Sequence, residues 1–248
     1  MSFKTILNYS PNFDTTKRTP QKIKFIIFHY TGMKKENDSL NRLINAKSKV
    51  SSHYLIKYDG QIIKLVPDLY IAWHAGISFW KNYKFLNKNS IGIEISNPGH
   101  GFNYKKFSKK QIQSILKLTK ILIKRYKIKP QNILGHSDIA PSRKKDPGEK
   151  FPWKYLSSKK IGYWYKLNQK QLEQNRYLKT KELEKRIFLK NLKVIGYSTV
   201  APKNSKTTTI KYVKIITKAF QRRFRQDKIN GIIDRECLMI SENLVKIL

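Results

Sequence analysis

Five histidines occur among the 248 residues, and three of them stand where a histidine needs a reason. His29 ends the apolar run KFIIF, His74 lies within AWHAG, and His136 follows Leu134-Gly135. Neutral imidazole is the commonest metal ligand, and a hydrolytic zinc site takes three protein ligands and leaves a fourth position for water. Two histidines from adjacent strand ends and a carboxylate from a neighbouring loop would supply that set. Asp146, in GHSDIAPSRKKDPGEKFPW, is the obvious carboxylate. Glu94 stands in IGIEI, where an acidic side chain is costly to bury without a partner, so the position favours a site over an inward structural charge.

Strands and helices must carry these groups. Lys24 to Phe28 is continuously apolar and β-branched and predicts a buried central strand ending at His29. Ser39 to Ser48 has helical spacing in Leu40, Leu43 and Ile44, with Ser39 as its cap. HYLIKYDGQIIKLV reads as a hairpin turned at Asp59-Gly60, and Asn89 to Ser96 as another interior strand. Ser108 caps the clearest helix, running to Tyr126 with Ile112, Ile115, Leu116, Thr119, Leu122 and Ile123 on one side and ending near Lys129-Pro130. Asn132 to Gly135 is a short strand that delivers His136. The class expected is α/β, a central mixed β-sheet flanked by helices, over 1–165. A polar, Gln-rich run over 166–190 predicts a solvated helical linker. A small all-α domain follows over 191–248, with amphipathic patterns at Tyr212 to Phe224 and Arg235 to Ile247 on either side of Asn230-Gly231.

From about Asn8 to Tyr155, five blocks occur in series: FIIFHYTG, SSHYLI with DGQI, AWHAG, NSIGIEISNPG and LGHSDIAPSRKKDPGEKFPW. In this order they resemble the N-acetylmuramoyl-L-alanine amidases of the peptidoglycan-recognition fold (amidase type 2), and within them the two-domain bacterial branch. The resemblance implies that His29, His136 and Asp146 bind one Zn2+, that Glu94 orients or deprotonates the water, and that Lys144 stabilises the developing oxyanion. His53, Trp73 and His74 fall near the groove, where they contact substrate or pack its wall, and His100 in NPGHG falls on a loop. The segment from Ile210 with AFQRRF and INGIID resembles a three-helix peptidoglycan-binding domain, with Asn230-Gly231 in place of Asp-Gly; a module that only packs is the alternative. The activity implied is hydrolysis of the amide between the lactyl group of N-acetylmuramic acid, or its 1,6-anhydro form, and L-alanine. Muropeptide recycling and wall turnover both remain open. A recognition protein that binds without cleaving is the rival, and the complete ligand trio argues against it.

The formal net charge of +36 first suggests a nucleic-acid binder. Lysine far outnumbers arginine, the charge is spread along the chain, and no finger, RRM or KH pattern accompanies it. No specific nucleic-acid partner is expected, only a general affinity for polyanions. No stretch approaches the roughly 20 apolar residues of a membrane span. MSFKTILNYSPNFDTTKRTP lacks the pattern of a secretory signal, so a cytoplasmic location is expected, with the periplasm as the alternative. A lone Cys237 forms no internal disulfide and reads as a buried helix residue.

Overall fold

The computed structural model describes residues 5–201 and 207–248. The first four residues of the segment read for an export signal, and 202–206 of the expected C-terminal domain, lie outside the described residues. The largest sheet has six strands: β1 (Ile6–Leu7), β2 (Phe25–Tyr30), β3 (Tyr54–Ile56), β4 (Ile62–Lys64), β5 (Ser90–Ile95) and β6 (Ile133–Gly135), in the order β1-β4-β3-β5-β2-β6. The β3–β4 hairpin pairs antiparallel and the other neighbours pair parallel, which makes the sheet mixed. The helices are α1 (Glu36–Ile44), α2 (Lys109–Tyr126), α3 (His136–Ile139), α4 (Trp153–Ser158), α5 (Gln169–Asn175), α6 (Glu182–Ile195), α7 (Thr209–Phe224) and α8 (Arg235–Lys246).

Side chains alternate across a strand, and here the alternation separates two cores. Ile26 and Phe28 of β2 join Ile91, Ile93 and Ile95 of β5 under Ile115, Leu118 and Leu122 of α2. Phe25 and Ile27 point the other way, toward Leu134, Trp80 and the C-terminal helices. The α2 start is fixed by a reciprocal cap: Ser108 Oγ accepts from Gln111 N, and Gln111 Oε1 accepts from Ser108 N. Its end is Lys127 in the left-handed region at φ 52°, two residues before Lys129-Pro130.

Two expectations need correction. The helix expected from Ser39 begins at Glu36, and Ser39 lies inside it with its hydroxyl donating to Lys35 O. Glu36 and Asp38 favour the first turn, and the Glu36 carboxylate also accepts from Tyr58 N at 2.7 Å. The linker expected over 166–190 consists of α5 and most of α6, and the boundary at 190/191 falls inside α6. Phe188, Leu192 and Ile195 recur at helical spacing on one buried side of α6. The polar residues between them had hidden that side.

The C-terminal helices do not hang from the sheet as a separate unit. Phe188, Phe220, Phe224 and Leu244 belong to the same apolar cluster as Phe25, Ile27 and Leu134. Within AFQRRF, Phe220 and Phe224 are buried and Gln221 holds the Asn230-Gly231 turn. Its Nε2 donates to Asn230 Oδ1 (3.1 Å), and its Oε1 accepts from Gly231 N (2.8 Å). Gly231 needs to be glycine: its φ is +77°, and a Cβ would sit 2.9 Å from Lys214 O. Cys237 is buried in α8. Among the described residues no helix is long and apolar enough to cross a membrane.

Candidate metal centre

Strand register brings the reactive groups together. β2 and β5 run parallel with His29 opposite Glu94; on the other side of β2, Gly135 of β6 lies opposite Phe28, so the chain passes into His136 beside His29. All three lie at carboxyl ends of parallel strands, where open α/β sheets place their ligands. The following loop returns Asp146, whose carbonyl accepts from Ser137 N at 2.8 Å. Gly135 packs so closely that a Cβ there would lie 2.7 Å from Pro147 Cδ.

His29 Nδ1 lies 2.9 Å from His136 Nδ1, and each lies 3.0 Å from Asp146 Oδ2. The far side of each ring decides what these atoms are. The Ser90 hydroxyl donates to Leu86 O (2.6 Å) and therefore accepts from His74 Nε2 (3.2 Å). His74 Nδ1 is then bare and accepts from His29 Nε2 at 3.0 Å, which leaves a lone pair on His29 Nδ1. His136 Nε2 donates to Ala75 O (3.1 Å), which leaves its Nδ1 bare as well. Two lone pairs and a carboxylate oxygen, all buried, thus converge with no proton between them. A cation is what such a donor set holds, and two imidazoles with one carboxylate fit zinc.

The electrostatics favour the ligand forms. Burial, reinforced by neighbouring His136, pushes the His29 imidazole down to about 4. Burial works against ionised Asp146, but His136 and His29 outweigh it and hold the carboxyl well below the usual carboxylate range. Glu94 Oε2 is buried and finds no hydrogen-bond partner among the described residues. Burial, with help from the Asp146 carboxylate, pushes Glu94 up to about 8, against the pull of Lys144 and Arg42. These groups line a cleft of about 420 Å³ together with Trp73, Arg143 and Lys145.

The structure brings His29, His136, Asp146, Glu94 and Lys144 into this one cleft. Trp73 stands half-buried on its wall, with its indole N–H donating to Asp14 Oδ1 (2.7 Å). The substrate contact expected of His53 gives way to a structural role, because the residue is wholly buried. Its Nδ1 accepts from Gly92 N (3.0 Å), and its Nε2 faces Tyr70 O and the Arg18 guanidinium. His74 lies at the base of the cleft with both ring nitrogens engaged, so it orients His29 and has no ring nitrogen free for substrate. His100 is exposed on a loop, bonded to Tyr30 Oη and the Glu149 carboxylate.

Sequence reasoning missed Ser90, Gly92 and Asn87. A Cβ on Gly92 would lie 2.4 Å from His74 Cγ, so only glycine leaves room for that ring. The alternation in SIGIEI does carry a trace of this: Ser90, Gly92 and Glu94 share one face of β5. Asn87 Oδ1 accepts from His74 N and Ala75 N and shapes the AWHAG loop; nothing local in the sequence marks it.

A family model described as N-acetylmuramoyl-L-alanine amidase matches residues 19–149. N-acetylmuramoyl-L-alanine amidase AmiD of Escherichia coli (strain K12) is 38% identical over 241 residues, which cover 91% of this chain and 83% of that protein. The structure of that enzyme with the substrate anhydro-N-acetylmuramic acid-L-Ala-D-gamma-Glu-L-Lys is similar with a TM-score of 0.78 and 34% identity, covering 94% of this chain and 91% of the other. AMPDH3 from Pseudomonas aeruginosa in complex with anhydromuramic pentapeptide is similar with a TM-score of 0.76 and 30% identity, over 94% and 95% of the two chains. The 1,6-anhydro-N-acetylmuramyl-L-alanine amidase AmpD of Haemophilus influenzae is 35% identical over 61% of this chain and 90% of its own length.

Proposed function

This chain belongs to the N-acetylmuramoyl-L-alanine amidase family, and from that premise we propose that it hydrolyses the amide between the lactyl group of N-acetylmuramic acid, or its 1,6-anhydro form, and L-alanine, using one zinc ion per chain. The observation that carries the reading is the convergence of His29 Nδ1, His136 Nδ1 and Asp146 Oδ2, the outer hydrogen bonds of the two rings leaving both nitrogens as acceptors, beside Glu94, whose Oε2 finds no hydrogen-bond partner among the described residues. Zinc bound there would act as a Lewis acid, acidifying water and polarising the scissile carbonyl.

The chain's own residues do the rest. Glu94 takes a proton from the attacking water as its oxygen bonds to the carbonyl carbon, and returns a proton to the alanine nitrogen as the C–N bond breaks. A single carboxylate can serve both transfers, first as base and then as acid. The Lys144 ammonium meets the carbonyl oxygen as it becomes negative, which stabilises the transition state more than the bound substrate. Trp73 offers an aromatic wall. Arg42 and Lys145 at the rim suit acidic stem peptides; the ligand of the AmiD complex contains a γ-linked glutamate.

Mass spectrometry of an anhydro-muropeptide and of intact peptidoglycan, each incubated with the protein with and without a zinc chelator, tests the reading. Chelator-sensitive release of a free peptide beginning with L-alanine is expected, and the faster substrate distinguishes recycling from wall turnover. No release from either substrate by zinc-loaded protein would overturn the proposal.

A further inference from the structure

We infer that the C-terminal helices position the metal ligand His136, with Arg223 and Tyr197 acting through the buried carboxylate of Asp138; the inference rests on the reading above that the trio holds zinc.

His136 lies between two points gripped by one side chain. The Arg223 guanidinium, from α7, donates to Ile133 O at the start of β6 (2.8 Å) and to Asp138 Oδ2 in α3 (2.6 Å). Asp138 Oδ2 also accepts from Gly135 N (2.8 Å), which closes the turn that carries His136 out of the sheet. The second oxygen, Oδ1, accepts from the Tyr197 hydroxyl just after α6 (2.6 Å). Carboxylate, guanidinium and phenol are all buried. The guanidinium lies over the Trp153 ring, 4.4 Å from its centroid. Ser137 N, one residue from the ligand, donates to Asp146 O and couples the same turn to the third ligand.

A buried ion pair is a poor device for stability alone, because desolvation offsets most of the attraction between its members. Apolar residues of similar volume would serve adhesion between helices and sheet about as well. What this arrangement adds is direction. Arg223, Tyr197 and Gly135 N fix the carboxylate from three sides, so rotation of the turn at His136 requires breaking charge-assisted hydrogen bonds. Outer partners of metal ligands hold ring orientation and metal affinity in this manner. The C-terminal helices therefore form part of the foundation of the catalytic site.

The test uses the full chain. Zn2+ stoichiometry of the unaltered protein comes first; no bound zinc would remove the metal reading itself. Zinc dissociation into a chromophoric chelator is then compared for Tyr197→Phe, Arg223→Lys and Phe188→Leu, the last a core truncation in α6 that removes none of the hydrogen bonds to Asp138. Tyr197→Phe is expected to speed zinc loss about 3- to 10-fold, less than the roughly 10- to 100-fold typical when a direct partner of a ligand is removed. Its Co2+-substituted form should show an altered visible spectrum. Phe188→Leu should lower the melting temperature and leave zinc release and the Co2+ spectrum unchanged. Zinc release by Tyr197→Phe at the unaltered rate would overturn the inference, as would equal acceleration by Phe188→Leu. Should Arg223→Lys fail to fold, Tyr197→Phe, which loses a single hydroxyl, still decides the matter.

Discussion

His29 and His136 present the same atom, Nδ1, to the same point, yet they are supported in opposite ways. Behind His29 stands a short internal relay: His74 of the AWHAG loop, then Ser90 at the start of the neighbouring strand β5, then Leu86 O just before that strand. Behind His136 stands a backbone carbonyl, Ala75 O, which also accepts from Arg143. The turn carrying His136 is gripped from another part of the chain altogether, by Arg223. A ligand inside a strand inherits its backbone position from the sheet and needs only its ring fixed. A ligand just past a strand end needs its backbone fixed as well.

The largest effect expected leaves both supports intact. Glu94→Gln should retain stoichiometric zinc and lose turnover by about 100- to 10,000-fold, the usual scale for a general acid–base group; strong residual activity would show that proton transfer lies elsewhere. Next comes the His29 side. His74→Phe keeps a ring and removes both nitrogens, and chelator competition should show zinc binding weakened by about 10- to 100-fold. Gly92→Ala removes no polar group but forces the His74 ring to move, so it should weaken zinc in the same direction. Combined with Tyr197→Phe, His74→Phe should show additive losses if the two supports are independent. A marked departure from additivity would mean that the supports form one network.

A third expectation concerns stability without metal. Burial, with the Arg18 charge beside it, pushes His53 down to about 3. The unfolded chain therefore takes up a proton as pH falls below about 6.5, while the fold does not. Stability is full above that pH and declines as pH falls toward 3, by on the order of a few kcal/mol from this residue. Chemical unfolding of the metal-free protein across that range should show the decline, and His53→Gln should flatten it. The smallest effect belongs to the C-terminal turn. Gln221→Ala should cost about 1–3 kcal/mol by leaving Gly231 N without its partner. Calorimetry should show the lower melting temperature, while zinc affinity stays unchanged because Gln221 does not touch Asp138.

Much of the site was legible because its residues end strands whose apolar runs are unmistakable. KFIIF and IGIEI announce β2 and β5, and a histidine or glutamate at their ends is conspicuous. Asp146 stood out as the carboxylate following His136, whereas Lys144 was readable only with the serial blocks, since alone it is one lysine among many. Ser108 with Gln111 announced the start of α2, because a cap is a local interaction. The start of α1 was misplaced, because Ser39 looks like a cap while Glu36 is anchored by Tyr58 N, a contact 22 residues away.

The sequence by itself determined five of the six strands of the sheet and the α2 helix, because these follow from local periodicity, and the resemblance of its five serial blocks pointed to the family and to the donor set; the edge strand β1, two residues long, carries no such local pattern. Only the tertiary structure decided that His74 backs His29 while His53 lies deeper and sealed, although the two are alike as histidines in a chain. It alone decided that α6 belongs to the core and that Arg223, 85 residues from Asp138, grips the turn at His136. The physical reason is the same in each case: hydrogen-bond direction and burial depend on which segments meet, and strand register and helix packing set those meetings over distances that local pattern does not span.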